Sequence, residues 1–200
     1  MRNHPATGRT LLVMAERDET PRRLAAVIIP IFANPPHDVV FVERARHLRR
    51  HAGQIAFPGG ALDAGDDGDL ARAALREVHE EIGIPPAAIT IVGELAPIVQ
   101  RQNIFTVTPF IGVVATGTQL VVDLNEASDA HRVPLAAILA PDAVHDGIEH
   151  AEGRSIETSH FDYGPLHVWG LTGRMLHDFV TLYRAAGSEL RAALDAQLQR

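Results

Sequence analysis

A chain of 200 residues with 46% apolar side chains is long enough to enclose one hydrophobic core, and its length favours one domain over two. Cysteine is absent, which excludes disulfides and thiolate metal sites, so any metal is held by oxygen or imidazole and a hard cation is the natural guest. The net charge of -7 has the wrong sign for a general nucleic-acid binder. No apolar run reaches the ~20 residues of a membrane-spanning helix, and charges break the early LLVM run too soon for a signal peptide; the expectation is a cytoplasmic protein.

In chain order, residues 24–32 (LAAVIIPIF) and 39–43 (VVFVE) are β-branched and apolar, and the turn-rich NPPHD between them predicts two strands joined by a turn. The chain then becomes basic and irregular over residues 44–54 (RARHLRRHAGQ). Ile55 to Phe57 leads into Pro58-Gly59-Gly60, a sharp corner whose backbone can approach a ligand closely. Residues 69–82 carry Ala71, Ala74, Leu75, Val78 and Ile82 at helical spacing, and Gly83 with Ile84-Pro85-Pro86 supplies the stop. Residues 89–95 and 105–114 read as strands around a polar QRQN turn, Val133-Pro134-Leu135 leads into a short apolar helix, and the last strong helix runs from Thr172 to about Leu182. Strands and helices interleave without an internal repeat, which predicts one α/β unit over residues 1–200 with the N-terminal ~20 residues peripheral.

On the helix, Glu77, Glu80 and Glu81 fall within an arc of roughly 100°, beside the apolar stripe rather than opposite it. The placement is unfavourable twice. Like charges at i,i+4 repel by ~0.2 to 0.5 kcal/mol, and acids in the last turns of a helix oppose its negative end by ~0.3 to 1 kcal/mol each. A divalent cation relieves both, since Mg²⁺ and Mn²⁺ take oxygen ligands and share carboxylates with substrate phosphates. Arg76 stands one turn before Glu80, close enough to orient it. An acidic helix face solvated beside Arg72 and Arg76 is the other reading of these three acids taken alone.

The neighbours decide between the two. The string REVHEEIGI (Arg76 to Ile84) matches the core of the Nudix box, REUXEEXGU with U a bulky aliphatic residue, at every defined position, and the box region spans 60–84 after the Gly-Gly corner. The segment from Gly60 to Arg76 is longer than in the general box, and Asp66 stands where the box has its first glutamate. Asp66, Asp67 and Asp69 are thus the alternatives for that residue's structural work. Upstream, Arg44-Ala45, Arg49, Gly53 and Phe57-Pro58-Gly59-Gly60 match R-[SA]-x3-R-x3-G-x3-F-P-G-G, which resembles the motif of coenzyme A pyrophosphatases. The likeness continues through Val107-Thr108-Pro109, the segment Asn125 to Leu135 and Trp169 to Thr172; Val42 departs from it, and residues 140–163 carry no matching feature.

The resemblance implies a Nudix-type αβα sandwich with a mixed β-sheet between helices. It implies metal-dependent cleavage of the diphosphate of coenzyme A or a derivative, giving 3′,5′-ADP and 4′-phosphopantetheine. Glu77 and Glu81 would bind Mg²⁺ or Mn²⁺, with Glu80 alongside and the Gly60 carbonyl completing the shell, and Glu126, in the polar loop before Val133, is the candidate distal carboxylate. Arg76, Glu80 and Glu126 form the catalytic set. Arg44, Arg49, Arg50 and His51, close in sequence to the Gly-Gly corner, are candidate contacts for a substrate this negative, and Gly59 is a candidate substrate-binding residue with them. All 18 basic residues are arginine, so position rather than residue type must single them out. His47, His79, His145 and His150 lack metal-like spacing and read as surface residues, and Trp169 reads as a core anchor. The alternatives are a Nudix pyrophosphatase for NADH, ADP-ribose or a nucleoside triphosphate, which would not need the upstream arginines, and a non-catalytic nucleotide-binding module, which would have lost box acids. A small-molecule nucleotide is the expected partner, without nucleic acid or membrane, and a homodimer is compatible with the sequence.

Overall fold

The computed structural model describes residues 22–47, 52–100, 105–151 and 153–199. Their centre is a mixed sheet. Strands β1 (Arg23–Phe32) and β7 (Phe105–Val114) run parallel over ten residue pairs from Arg23↔Phe105 to Phe32↔Val114. Around them the order is β3-β2-β1-β7-β5, with β2 (Asp38–Arg44), β3 (Ile55–Ala56) and β5 (Ile89–Glu94) antiparallel to their neighbours. Strand β4 (Gly59–Ala61) pairs with β1, β6 (Ile98–Gln100) with β7, and β8 (Ala127–Pro134) with β2.

The unbroken apolar run of β1 is explained by burial on both faces. Ala26, Ile28 and Phe32 enter one core with Ala74, Val78 and Ile82 of helix α1 (Leu70–Ile82). Ile29 and Ile31 enter the other with Met175, Leu176 and Phe179 of helix α3 (Gly170–Arg184) and with Leu190 and Leu194 of helix α4 (Glu189–Leu198). Helices thus cover both faces of a mixed sheet, as expected. Helix α2 (Leu135–Ile138) follows β8 directly. No helix among the described residues is long and apolar enough to cross a membrane.

Four features differ from or extend the sequence reading. Gly59 and Gly60 are not free corner residues but part of a strand on β1. Residues 127–134 form a strand on β2, and α4 follows α3. The stretch without recognisable features forms a second, three-stranded antiparallel sheet, β9 (Val144–Ala151), β10 (Arg154–Tyr163) and β11 (Leu166–Val168), which docks on α3 through Phe161, Leu166 and Val168. The QRQN turn falls mostly outside the described residues.

Candidate active site

The local sequence fixes α1 at both ends. The Asp69 side chain accepts from the backbone N–H groups of Ala71 and Arg72 at 2.9 and 3.2 Å, an N-cap that satisfies two otherwise unpaired donors. Gly83 ends the helix at φ 71°, a left-handed position that favours glycine. Beyond it, Asp123 N donates to Glu81 O and Val121 N to Ile82 O, both at 2.9 Å, so the returning chain satisfies the last helical carbonyls. Glu126 N then donates to Asp123 O and Glu126 O accepts from Ala45 N, each at 3.0 Å. This segment brings Glu126 from the far side of the sequence to the acidic helix.

Glu77, Glu81 and Glu126 each place a carboxylate oxygen within 4.8 Å of the other two. Glu81 is only 4% exposed, and Glu77 and Glu126 are both part-exposed. The buried carboxylate of Glu81 accepts from Gly59 N at 3.1 Å and has Arg44 Nη1 at 3.9 Å. These do not offset its desolvation: burial pushes the Glu81 carboxyl up to about 8, the Gly59 N–H and Arg44 oppose this, and Glu77 and Glu126 add to it. Burial likewise raises Glu77 against the pull of Arg76. Three mutually facing carboxylates, two of them reluctant to ionise, fit a divalent cation, because its charge would remove the repulsion that holds protons on them.

Arg76 is the brace of the site. Its Nε and Nη2 donate to the two oxygens of Asp66, each at 3.0 Å, Nη2 also reaches Ala61 O at 3.2 Å, and Nη1 donates to Glu77 and Glu80 at 2.9 Å. Asp66 is buried, and the Arg76 guanidinium, followed by the Asp63 N–H, holds its carboxyl below the usual range. The three aspartates therefore divide the work: Asp66 anchors Arg76, Asp67 pairs with Arg72 at 2.6 Å, and Asp69 caps α1. Glu80 points outward, its side chain 47% exposed and tied to Arg76, and it stands outside the Glu77–Glu81–Glu126 group.

The Gly59-Gly60 strand forms the floor. A Cβ on Gly60 would fall on the Glu77 carboxylate, and one on Gly59 would meet the backbone of Ala26 and Val27, at a φ of 150°. Beside this floor opens a cavity of about 810 Å³ lined by Arg44, Gly59, Gly60, Val99, Phe105 and Trp169, among others. Trp169 is half-buried on this wall and not among the core residues. The Arg44 Nε is buried with no hydrogen-bond partner among the described residues. Arg49 and His51 lie outside the described residues.

The sequence profile of the NUDIX domain matches residues 21–151. The chain belongs to the Nudix family. Among curated Nudix relatives, "Uncharacterized Nudix hydrolase NudL" of Salmonella paratyphi B and that of Salmonella newport are each 38% identical over 157 residues, which is 78% of this chain and 81% of theirs. A solved structure of a MutT/nudix family protein from Enterococcus faecalis superposes with a TM-score of 0.51 at 12% identity, over 96% of this chain and 70% of that one, a likeness of fold. As a Nudix hydrolase the protein acts on a nucleoside diphosphate derivative.

Proposed function

We propose that the enzyme hydrolyses the diphosphate bond of coenzyme A or one of its derivatives, releasing 3′,5′-ADP and 4′-phosphopantetheine or acyl-phosphopantetheine. The observation that carries this reading is a single cleft that joins two features. At one end, Arg44 and the Gly59-Gly60 floor of the upstream signature adjoin the carboxylates; from there the cavity continues between Val99, Phe105, Trp169 and Met175. A diphosphate held at the charged end can send a long uncharged arm along the apolar walls. A nucleoside triphosphate has no such arm.

Glu77 and Glu81 would hold Mg²⁺ or Mn²⁺, with the Gly60 carbonyl as a further donor and Glu80 alongside, tied to Arg76. When bound, such an ion neutralises phosphoryl oxygens and acidifies water. The chain supplies the rest. Arg76 keeps Glu77 and Glu80 in place, the Gly59 N–H holds one oxygen of Glu81, and Arg44, which lines the cleft, offers the accessible part of its guanidinium to phosphate oxygens. Glu126, the third carboxylate facing Glu77 and Glu81, orients the attacking water and takes its proton. Arg49 and His51, assigned from their charge and their closeness in sequence to the Gly-Gly strand, bind the 3′-phosphate side.

The deciding experiment offers coenzyme A, NADH, ADP-ribose and nucleoside triphosphates to the purified enzyme with Mg²⁺ or Mn²⁺ and separates products by charge. Coenzyme A should show the highest kcat/KM and yield 3′,5′-ADP. A preference for any of the others by tenfold or more overturns the assignment while leaving the family intact.

A further inference from the structure

Away from the box, the three-stranded sheet gathers a second group of side chains suited to a metal. In its register His145 faces His160 and Asp162 faces His167. The two-residue period of a strand puts His145, Gly147 and Glu149 on the same face as His160, Asp162 and His167. Glu149, His160 and His167 each bring a ligand atom within 4.8 Å of the others.

Gly147 eases the meeting: a Cβ there would stand 3.0 Å from Cδ2 and 3.2 Å from Nε2 of His160, so any side chain would press on the ring. His167 Nε2 is 2.9 Å from Glu149 Oε2, and His160 Nδ1 is 3.8 Å from the same oxygen. Ligands held ~2.0 to 2.1 Å from a tetrahedral ion are ~3.4 Å apart. The two observed separations bracket that value, and shifts of about half an ångström would seat an ion. His167 Nδ1 lies 2.7 Å from Asp162 Oδ1, the outer carboxylate that fixes a ligating imidazole with its other nitrogen turned to the metal.

Ion pairing alone accounts for His167, which has a carboxylate on each ring nitrogen. It does not account for His160. That ring is 7% exposed, its Nδ1 comes no nearer than 3.8 Å to a carboxylate, and its Nε2 is buried with no hydrogen-bond partner among the described residues. A buried imidazole so poorly partnered is unfavourable; coordination through Nδ1, the nitrogen nearer Glu149, would give the ring a strong partner, while Nε2 stays packed over Gly147.

We infer that Glu149, His160 and His167 bind a divalent transition-metal ion of the zinc type, separate from the hard-cation site of the box. Two imidazoles and one carboxylate select such an ion over Mg²⁺. The ion ties together three strands, of which β10 contributes Ile156 and Thr158 to the cleft wall, so its role is to rigidify that wall.

The test uses tag-free full-length protein stripped with chelator and titrated with Zn²⁺ by calorimetry. Glu77→Gln/Glu81→Gln, which disables the box, should still bind one equivalent of Zn²⁺. His167→Gln, at a half-exposed side chain, should weaken that binding about a hundredfold, and Asp162→Asn roughly ten- to a hundredfold. Should the double variant fail to fold, saturating Mg²⁺ on the unmodified protein occupies the box instead. Failure of the box-disabled or Mg²⁺-saturated protein to bind Zn²⁺, or unchanged Zn²⁺ affinity in His167→Gln, overturns the inference.

Discussion

Replacing Glu81 by Gln separates two effects that a simple loss of activity would confound. The Glu81 carboxyl sits near 8 in the metal-free fold against 4.5 for an ordinary glutamate, chiefly through burial. Because the folded value is the higher one, the fold is favoured below about pH 4.5, and that advantage is lost as pH rises toward 8. At 1.36 kcal/mol per unit, the charged carboxylate costs the metal-free protein on the order of 5 kcal/mol above that range. Glutamine cannot ionise, and its side-chain oxygen still accepts from Gly59 N–H. In chelator, the variant should therefore melt with the parent near pH 4.5 and above it at pH 9. Even a fifth of the effect, ~1 kcal/mol, moves Tm by ~2 to 4 °C in a chain this long. Activity goes the other way: kcat at saturating Mg²⁺ should fall well over tenfold, more than ~1.4 kcal/mol of barrier. A variant that melts below the parent at pH 9, or keeps more than about a tenth of its turnover, refutes the account of Glu81 as a buried, metal-neutralised carboxylate.

Three further outcomes follow from the same geometry. Mg²⁺ or Mn²⁺ at 100 times its Kd should stabilise the protein by ~2.7 kcal/mol, about 5 to 11 °C in Tm, and the shift should be larger at pH 8.5 than at pH 6 because the ion must displace the proton of Glu81; differential scanning fluorimetry at the two pH values checks both, and a shift that shrinks at the higher pH contradicts the assignment. Gly60→Ala puts a methyl group on the Glu77 carboxylate, so kcat/KM should drop tenfold or more with weaker Mg²⁺ activation, and an unchanged Mg²⁺ dependence would count against Glu77 as a ligand. Arg49→Ala should lose roughly ten- to a hundredfold in kcat/KM on coenzyme A but not on its 3′-dephosphorylated analogue, since one charge-assisted hydrogen bond is worth ~1.5 to 3 kcal/mol; equal losses on both would move Arg49 to the diphosphate or to the loop.

What could be read in the sequence was what a single element determines. Strand β1 announces itself because both its faces are buried, and α1 because Asp69, the apolar stripe and Gly83 lie on one short stretch. Strand β8 was not legible: ASDAHRVP has little apolar alternation, and its extended form is imposed by pairing with β2 from Asp38↔Pro134 to Arg44↔Ala127. The same holds for β9 and β10, whose sequences VHDGIEHA and RSIETSHFDY hide a hairpin behind polar residues. Helix α4 is a different kind of omission, since Leu190, Leu194 and Leu198 recur every fourth residue after the Ser188 cap and the signal was present.

The two metal-competent groups show why one was visible and the other was not. Glu77 and Glu81 are neighbours on any helix, so the helix prediction alone brings them together; only Glu126 needed the fold, which delivers it through hydrogen bonds to the end of α1. The second group has no helix to define it. His160 and His167 lie on different strands and Glu149 on a third, and their spacing resembles no ligand motif until β9, β10 and β11 are in register. Reading a surface role for His145 and His150 from spacing was reasonable for those two, both of which are exposed, but spacing says nothing about side chains brought together across a sheet. There, the informative residue is Gly147, the one position on that face of β9 where the missing side chain makes room for a histidine from the next strand.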